Sequence, residues 1–366
     1  MMSLFRRKEV VKPSTPIDTI IPMGVISTIP PYAPYIEEVA SHPVITGIRF
    51  NTVMPITKEP IEKLLVSLKN KMNGKDIWID LKCRQIRISH GAFYKSPVGI
   101  RTYEINGEKI VLDTSNPRVT SELKTPPWAE IKIDHKIKLD TRKPVKAWFG
   151  DGHDCAHIVE VVDGDTLIML DGPRKVVGGG ESINIIDPSL KIEGFFTDLD
   201  YKYIEACKRV GIHTYMLSYV EADEDLEELI RLDPLADIRL KIESPKGIEW
   251  VKKSYANVCR KYRNSIHLMP ARGDMYNEVG MYRPEKIIKP LARLIKEDPK
   301  AIVASRILTS LTDGPRPQCA DITDVVCLLG MGYRNFMLGD DICFNRDSLM
   351  LALDMLQAIG QEYSEI

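Results

Sequence analysis

The 366-residue chain has no apolar run long enough to cross a bilayer, which excludes a helical membrane span. It also has no CxxC pair. Its seven cysteines are scattered and odd in number, so neither a disulfide framework nor a zinc ribbon is indicated. Neither charge is in excess, with 50 Lys and Arg against 51 Asp and Glu. That balance gives no bulk attraction to nucleic acid or to a membrane surface, and neither is expected as a partner. Internal repeats and low-complexity tracts are lacking as well. The opening Met1-Met2-Ser3-Leu4-Phe5-Arg6-Arg7-Lys8 is basic but has no apolar core after it, so it does not read as a secretory signal. Reduced thiols and the missing signal lead to the expectation of a cytoplasmic protein.

What the chain does have is regular alternation. Short runs rich in Ile, Val and Leu fall near 18–28, 45–51, 76–82, 213–218, 236–242, 265–271, 300–305 and 333–338. Amphipathic helical segments lie between them, among them Lys58–Lys69, Asp198–Val210, Asp223–Leu232, Pro284–Ile295 and Asp321–Leu329, with Asp347–Ile359 closing the series. Eight strands each followed by a helix predict a (β/α)8 TIM barrel. One stretch breaks the pattern. There, alternating strands are punctuated by Asn106-Gly107, Asp151-Gly152, Asp163-Gly164 and Asp171-Gly172, all hairpin dipeptides. The expected organisation is a discontinuous barrel over 1–87 and 183–366, with a small β-rich lid domain, 88–182, inserted after the third strand. Gly178-Gly179-Gly180 near its return reads as a hinge, since no lysine and hydroxyl follow as a phosphate-binding P-loop requires.

Two strand ends carry unexpected charge. Ile238-Arg239-Leu240-Lys241-Ile242 runs into Glu243, and Ser265-Ile266-His267-Leu268-Met269 runs into Ala271-Arg272-Gly273-Asp274. Charge is costly to bury, so a lysine and two carboxylates at buried strand ends point to a shared polar site. Glu243 and Asp274 suit a hard divalent cation, with the Lys241 ammonium beside an anionic substrate. The plainer alternative is a pair of structural salt bridges at the rim of a sheet.

In order and spacing, these residues resemble the pyruvate kinase family. The resemblance runs through Ser27-Thr28-Ile29-Pro30-Pro31, Ile48-Arg49-Phe50-Asn51, Asp80-Leu81-Lys82-Cys83-Arg84-Gln85-Ile86-Arg87 and Leu217-Ser218-Tyr219-Val220. It continues through Leu240-Lys241-Ile242-Glu243-Ser244, Pro270-Ala271-Arg272-Gly273-Asp274, Ala304-Ser305-Arg306-Ile307-Leu308-Thr309-Ser310, Pro315-Arg316-Pro317 and Met337-Leu338. Phe149-Gly150-Asp151-Gly152 is a weaker match in the insert. The resemblance implies a barrel with a lid after the third strand. It implies Lys241 at the transferring phosphoryl group, Arg49 and Arg87 near the same group, and Ser305 in place of a threonine at the enolate carbon. Substrate binding would fall to Arg272, Gly273, Asp274 and Ser218. Glu243 and Asp274 would hold Mg²⁺ or Mn²⁺, and Asn51 and Asp80 would remain from a monovalent-cation site.

Departures from the family pattern concentrate on one half of the site. Val53 and Leu81 stand where side-chain oxygens are expected, which speaks against a K⁺ requirement, with Arg84 as a candidate fixed charge in its place. On the nucleotide side a histidine becomes Met54, a glycine becomes Pro30, and a lysine is lost around Gly180-Glu181. The eighth strand ends Leu338-Gly339-Asp340-Asp341-Ile342 rather than in the family's Ser-Gly-Glu-Thr-Ala. The chain also stops after the eighth helix, so effector control through a C-terminal domain is not expected. Three readings follow. The first is a pyruvate kinase-like enzyme passing phosphoryl from phosphoenolpyruvate to ADP or another acceptor. The second is a metal-dependent 2-keto-acid lyase or aldolase working through a pyruvate enolate. The third is a non-catalytic binding protein of the same build. A homo-oligomer is compatible with each.

Other polar clusters have simpler explanations. Gly152-His153-Asp154-Cys155-Ala156-His157 lacks the second ligand group of a zinc site. His213 and His267 lie in apolar runs and read as packed core histidines. The acidic run Glu221–Glu228 reads as a helix start, and Arg260-Lys261-Tyr262-Arg263 as a solvated helix face.

Overall fold

A computed structural model of the chain describes residues 23–53, 59–89, 100–105, 108–113, 129–150, 152–173, 177–262, 265–280 and 283–364. The expected start of the first strand, Met54, the Asn106-Gly107 turn and Asp151 lie outside those residues. Eight strands form one parallel sheet: β1 (Gly24–Thr28), β2 (Ile45–Asn51), β3 (Asp76–Leu81), β4 (Thr214–Leu217), β5 (Asp237–Ile242), β6 (Ile266–Pro270), β7 (Ile302–Ala304) and β8 (Asn335–Leu338). Their order around the sheet is β6-β5-β4-β3-β2-β1-β8-β7. A lone parallel bridge between Ala271 and Ala304 joins the two ends. The result is a nearly closed parallel barrel wrapped by helices, the arrangement of a TIM barrel.

Period-2 alternation builds both of its cores. Ile48, Phe50, Ile77, Ile79, Leu81, Tyr215, Leu217, Leu240 and Ile242 face outward against the helices. Ile26, Trp78, Met216, Met269, Ile302 and Met337 fill the interior from six different strands. The helices include α1 (Ile36–Ser41), α2 (Ile61–Lys71), α3 (Asp198–Val210), α4 (Asp223–Leu232), α5 (Pro245–Lys253), α6 (Tyr255–Lys261), α7 (Arg272–Met275), α8 (Ile288–Glu297), α9 (Cys319–Met331), α10 (Asp340–Cys343) and α11 (Arg346–Ser364). Thr197 and Asp200 cap α3 reciprocally, and Gly211, at φ 68°, ends it. The buried Asp200 carboxylate also accepts from the backbone N–H groups of Lys82 and Cys83, at 2.9 and 3.0 Å, and so fixes the bend after β3. Among the described residues no helix is long and apolar enough to cross a membrane.

Between β3 and α3 the chain builds a β-rich insert. Ala129–Lys132, Val145–Phe149, Asp154–Val162, Thr166–Leu170 and Ile183–Ile185 form a five-stranded antiparallel sheet with its own apolar core. Asp163-Gly164, with φ of 52° and 78°, supplies one of the expected left-handed turns. The insert does not end at Ser182. Ile183–Ile185 pairs with Val145–Phe149, and Lys191–Ile192 pairs with Ile137–Lys138. Apolar alternation continues through both chain crossings, so composition gives no mark of the boundary.

The two strand histidines are not packed core residues. His213 and His267 are partly exposed, and their Nδ1 atoms lie 2.7 and 3.2 Å from Asp233 and Asp298. Each aspartate follows a helix, a partner that a strand pattern does not disclose.

Candidate active site

The inward positions of three strands deliver the charged cluster. Alternation that sends Ile48 and Phe50 outward turns Arg49 and Asn51 inward, and that of β3 does the same for Asp80. Alternation in β5 puts Lys241 and Glu243 on the face that Arg239 occupies at the floor, where its guanidinium stacks on Trp78 at 4.1 Å. Pairing of Asn51 with Asp80 and of Lys241 with Met269 sets these ends level. They open into a cavity of about 1010 Å³. Its walls include Arg49, Arg87, Lys241, Glu243, Gly273, Asp274 and Ser305 from the barrel, with Gly152, His153, Gly180 and Glu181 from the insert.

Asp80 is the hub. Its Oδ2 accepts from Arg49 Nε at 2.7 Å and from Lys82 Nζ at 2.7 Å, while Lys241 Nζ stands 3.4 Å from Oδ1. Burial alone would raise the Asp80 carboxyl, but Arg49, Lys241 and Lys82 outweigh it and hold it well below the usual carboxylate range. The expected pairing of Asn51 with Asp80 around a monovalent cation is therefore corrected, because the Asp80 oxygens are already committed to three cations. Arg84 is not the fixed charge either. It is held away from this cluster by Asp225 at 2.6 and 2.8 Å and by the Tyr219 carbonyl at 3.0 Å. The ammonium on Asp80 belongs to Lys82, two residues along the same strand end.

Lys241 bridges the hub to the carboxylates. Its Nζ lies 3.0 Å from Glu243 Oε1 and donates to Ser218 Oγ at 2.8 Å. Ser218 is wholly buried and its hydroxyl donates to the Leu81 carbonyl at 2.9 Å, so it orients Lys241 instead of lining the cavity. The Arg272 side chain likewise leaves the cavity for α9, where its Nη1 meets both Asp324 oxygens at 2.8 Å. The Gly273-Asp274 segment and Ser305 do face the cavity. Arg87 is tied to Gln85 Oε1 and to the Gly180 carbonyl at the neck of the insert.

The cation question turns on Glu243 and Asp274. Glu243 Oε1 is buried with the Lys241 ammonium at 3.0 Å as its neighbour but no other donor, while Oε2 accepts from Tyr219 N–H at 2.7 Å. Asp274 receives only long contacts of 3.4 Å, from Gln85 Nε2 and the Tyr219 hydroxyl. Two hard oxygen donors with spare capacity fit Mg²⁺ or Mn²⁺. No group of three or more His, Cys, Asp or Glu suited to a metal occurs among the described residues, so substrate and water would complete the shell. The sequence reading missed Tyr219, Gln85, Lys82 and Glu278. Each sits one or two positions from a chosen residue or on the π-helical turn Tyr276–Gly280, which no periodicity announces.

Burial raises Glu243 to about 7 against the opposing charge of Lys241, and raises Glu278 to about 7. Burial also pushes Lys82 down to about 7, against the pull of Asp80. The two glutamates bind a proton more tightly folded than unfolded. Their contribution to stability is therefore present below about 4.5 and lost as pH rises to about 7. Lys82 has the opposite sign, and its contribution grows as pH rises from about 7 towards 10.5. Ligand-free protein should thus show a dip in its thermal midpoint near neutrality. A flat profile from about pH 5 to about pH 9 would remove these assignments.

A nearly closed parallel barrel with a cluster of charged side chains at the carboxyl ends of its strands defines the molecule as a TIM-barrel protein. Its curated relatives are pyruvate kinases. The chain is 23% identical to the pyruvate kinase of Borreliella burgdorferi over 326 residues, covering 86% of this chain and 62% of that protein. It is 24% identical to the enzyme of Thermotoga maritima over 331 residues (80% and 67%), and 25% identical to that of Methanocaldococcus jannaschii over 326 residues (88% and 66%). These matches support a distant pyruvate kinase-like relationship, and the chain spans about two thirds of the relatives' length. No protein-family model matches the chain.

Proposed function

We propose that the chain is a pyruvate kinase-like phosphotransferase that handles phosphoenolpyruvate and pyruvate. The observation that carries this reading is the convergence of Lys241, Glu243 and Asp274 with Arg49 and Arg87 on one cavity. Glu243 and Asp274 would hold Mg²⁺ or Mn²⁺, which when bound supplies positive charge to the enolate oxygen. Lys241, kept protonated by Asp80 and Glu243, compensates charge on the transferring phosphoryl group. Arg49 is held rigid by Asp80 and by Thr28 Oγ1 at 3.2 Å, and it orients the same group without reorganising. The Gly273-Asp274 backbone seats the carboxylate, and the Ser305 hydroxyl relays a proton at the enolate carbon. The insert acts as the lid, with Gly150, Gly152 and His153 on its cavity side.

The acceptor wall favours a second reading of that half. Glu181, Asp340 and Asp341 all line the cavity, and Asp340 accepts from Arg49 at 3.2 Å. Carboxylates there repel nucleotide phosphates. This supports an acceptor other than ADP, or enolate chemistry on a 2-keto acid with no acceptor at all.

Phosphorus NMR of the protein with phosphoenolpyruvate, Mg²⁺ and a panel of nucleoside diphosphates separates these. Phosphorus moving to a nucleotide supports the kinase and identifies its acceptor. An unchanged spectrum removes that panel and leaves the enolate reading, which solvent exchange of the pyruvate methyl protons would report. Whichever reaction is found, it should proceed without K⁺, because Lys82 already occupies the Asp80 carboxylate. Stimulation by K⁺ over tetramethylammonium at equal ionic strength would contradict this.

A further inference from the structure

Residues 305–308 are unusual for a chain segment with no glycine. Ser305, Arg306 and Leu308 have φ of 67°, 55° and 53°, the left-handed region that costs a non-glycine residue about 1 kcal/mol or more. Such a turn persists only where its surroundings hold it. The holder here is Arg272, at the start of α7, just past β6. Its Nε donates to the Ser305 carbonyl at 3.1 Å and its Nη2 to the Arg306 carbonyl at 2.5 Å. Its remaining nitrogen is fixed by both oxygens of Asp324, at 2.8 Å each. All three ligands of the guanidinium are thus accounted for, and two of them are the strained turn. The turn in its place puts the Ser305 side chain beside Gly273, where a Cβ would lie 3.8 Å from Ser305 Cβ and 3.9 Å from Oγ. It also lays the Arg306 guanidinium 4.6 Å over the Tyr276 ring at the cavity wall.

We propose that Asp324, on α9 and outside the cavity, is a positioning residue for the enolate step, acting through Arg272 on the turn that aims Ser305. This rests on the functional reading above and goes beyond it by placing a determinant of the proton step on a helix with no contact to substrate. In that step the C3–H bond of pyruvate breaks and its electron pair becomes the C2–C3 double bond. Negative charge is left on the C2 oxygen, and the proton passes through the Ser305 hydroxyl to water. Deuterium returns from D₂O by the same path. A neutral amide at 324 offers Nη1 one oxygen in place of two, and no charge. The turn then relaxes, and a displacement of the order of 1 Å at a reacting group costs about 100-fold.

The test is loss of the pyruvate methyl proton signal in D₂O with Mg²⁺, measured as kcat and KM separately. Asp324→Asn should lower kcat for exchange by about 10- to 100-fold, with pyruvate KM nearly unchanged. Adding Arg306→Gly should restore part of the rate, because glycine takes the left-handed backbone without the clamp. Equal exchange in wild type and Asp324→Asn overturns the positioning role alone. A loss that Arg306→Gly leaves unrelieved, or a rise in KM in step with the fall in kcat, also overturns it, as a general structural defect would do both. No exchange in wild type overturns the functional reading, and this role with it. Should Asp324→Asn lose its thermal transition, Asp324→Glu carries the same test, with a smaller kcat effect expected in the same direction.

Discussion

Lys241→Met should abolish phosphoryl transfer, by about 1,000-fold or more, and leave a folded protein. The ammonium is the charge that Asp80 and Glu243 share, and the proposed reaction sets it against the phosphoryl oxygens, so its removal takes that compensation away. The fold survives because Glu243, already raised to about 7 by burial, can take up a proton when its partner is gone. The expected stability loss is about 3 kcal/mol, at the lower end for breaking a buried ion pair. Steady-state assay and urea unfolding of the same sample check both halves. A variant with substantial turnover would show that Lys241 is only a strut of the barrel, the structural salt-bridge alternative.

Asp80→Asn should have the larger effect on stability. The substitution keeps shape and removes one charge, yet that charge compensates Arg49, Lys82 and Lys241 together in a fully buried position. Breaking a buried pair leaves uncompensated charge and costs about 3–5 kcal/mol, a large share of a domain's total stability. Lys82, with its value near 7, would meet part of the cost by shedding its proton, but Arg49 cannot. Activity should fall with it, since Arg49 loses its main anchor. Comparing urea midpoints at pH about 6 and about 9 separates the contributions, because the deficit should shrink where Lys82 is neutral. An Asp80→Asn protein as stable as wild type would mean that the three cations are compensated elsewhere.

Much of this was legible in the amino-acid order, for a physical reason. Barrel strands are buried on both faces, so an inward lysine or carboxylate in an Ile- and Leu-rich run stands out, as Lys241 and Glu243 do. Asp80 and Arg49 came into view only through the family resemblance. Partner choice was not legible. Arg84 and Lys82 are two positions apart, and the strand pleat and the bend held by Asp200 decide which one reaches Asp80. Nor could sequence show that Ser218 and Arg272 act behind the cavity wall. Their partners, the Leu81 carbonyl and Asp324, are 137 and 52 positions away in the chain. The insert's far boundary was missed because the apolar alternation does not change where the chain passes from one sheet to the other.

The barrel is not equally sealed around its circumference. Seven neighbouring strand pairs share ladders, whereas β6 and β7 meet through the single Ala271–Ala304 bridge. This seam borders the cavity, with Gly273 and Asp274 on one bank and Ser305 on the other. Backbone that is not spent on pairing there is free to curl into the left-handed turn, and one guanidinium reaches across to tie the banks together. A ligand bridging Asp274 and Ser305 would act as a second stitch. On the proposed function, a substrate bound there would close the ring itself, and its binding would raise the stability of the barrel.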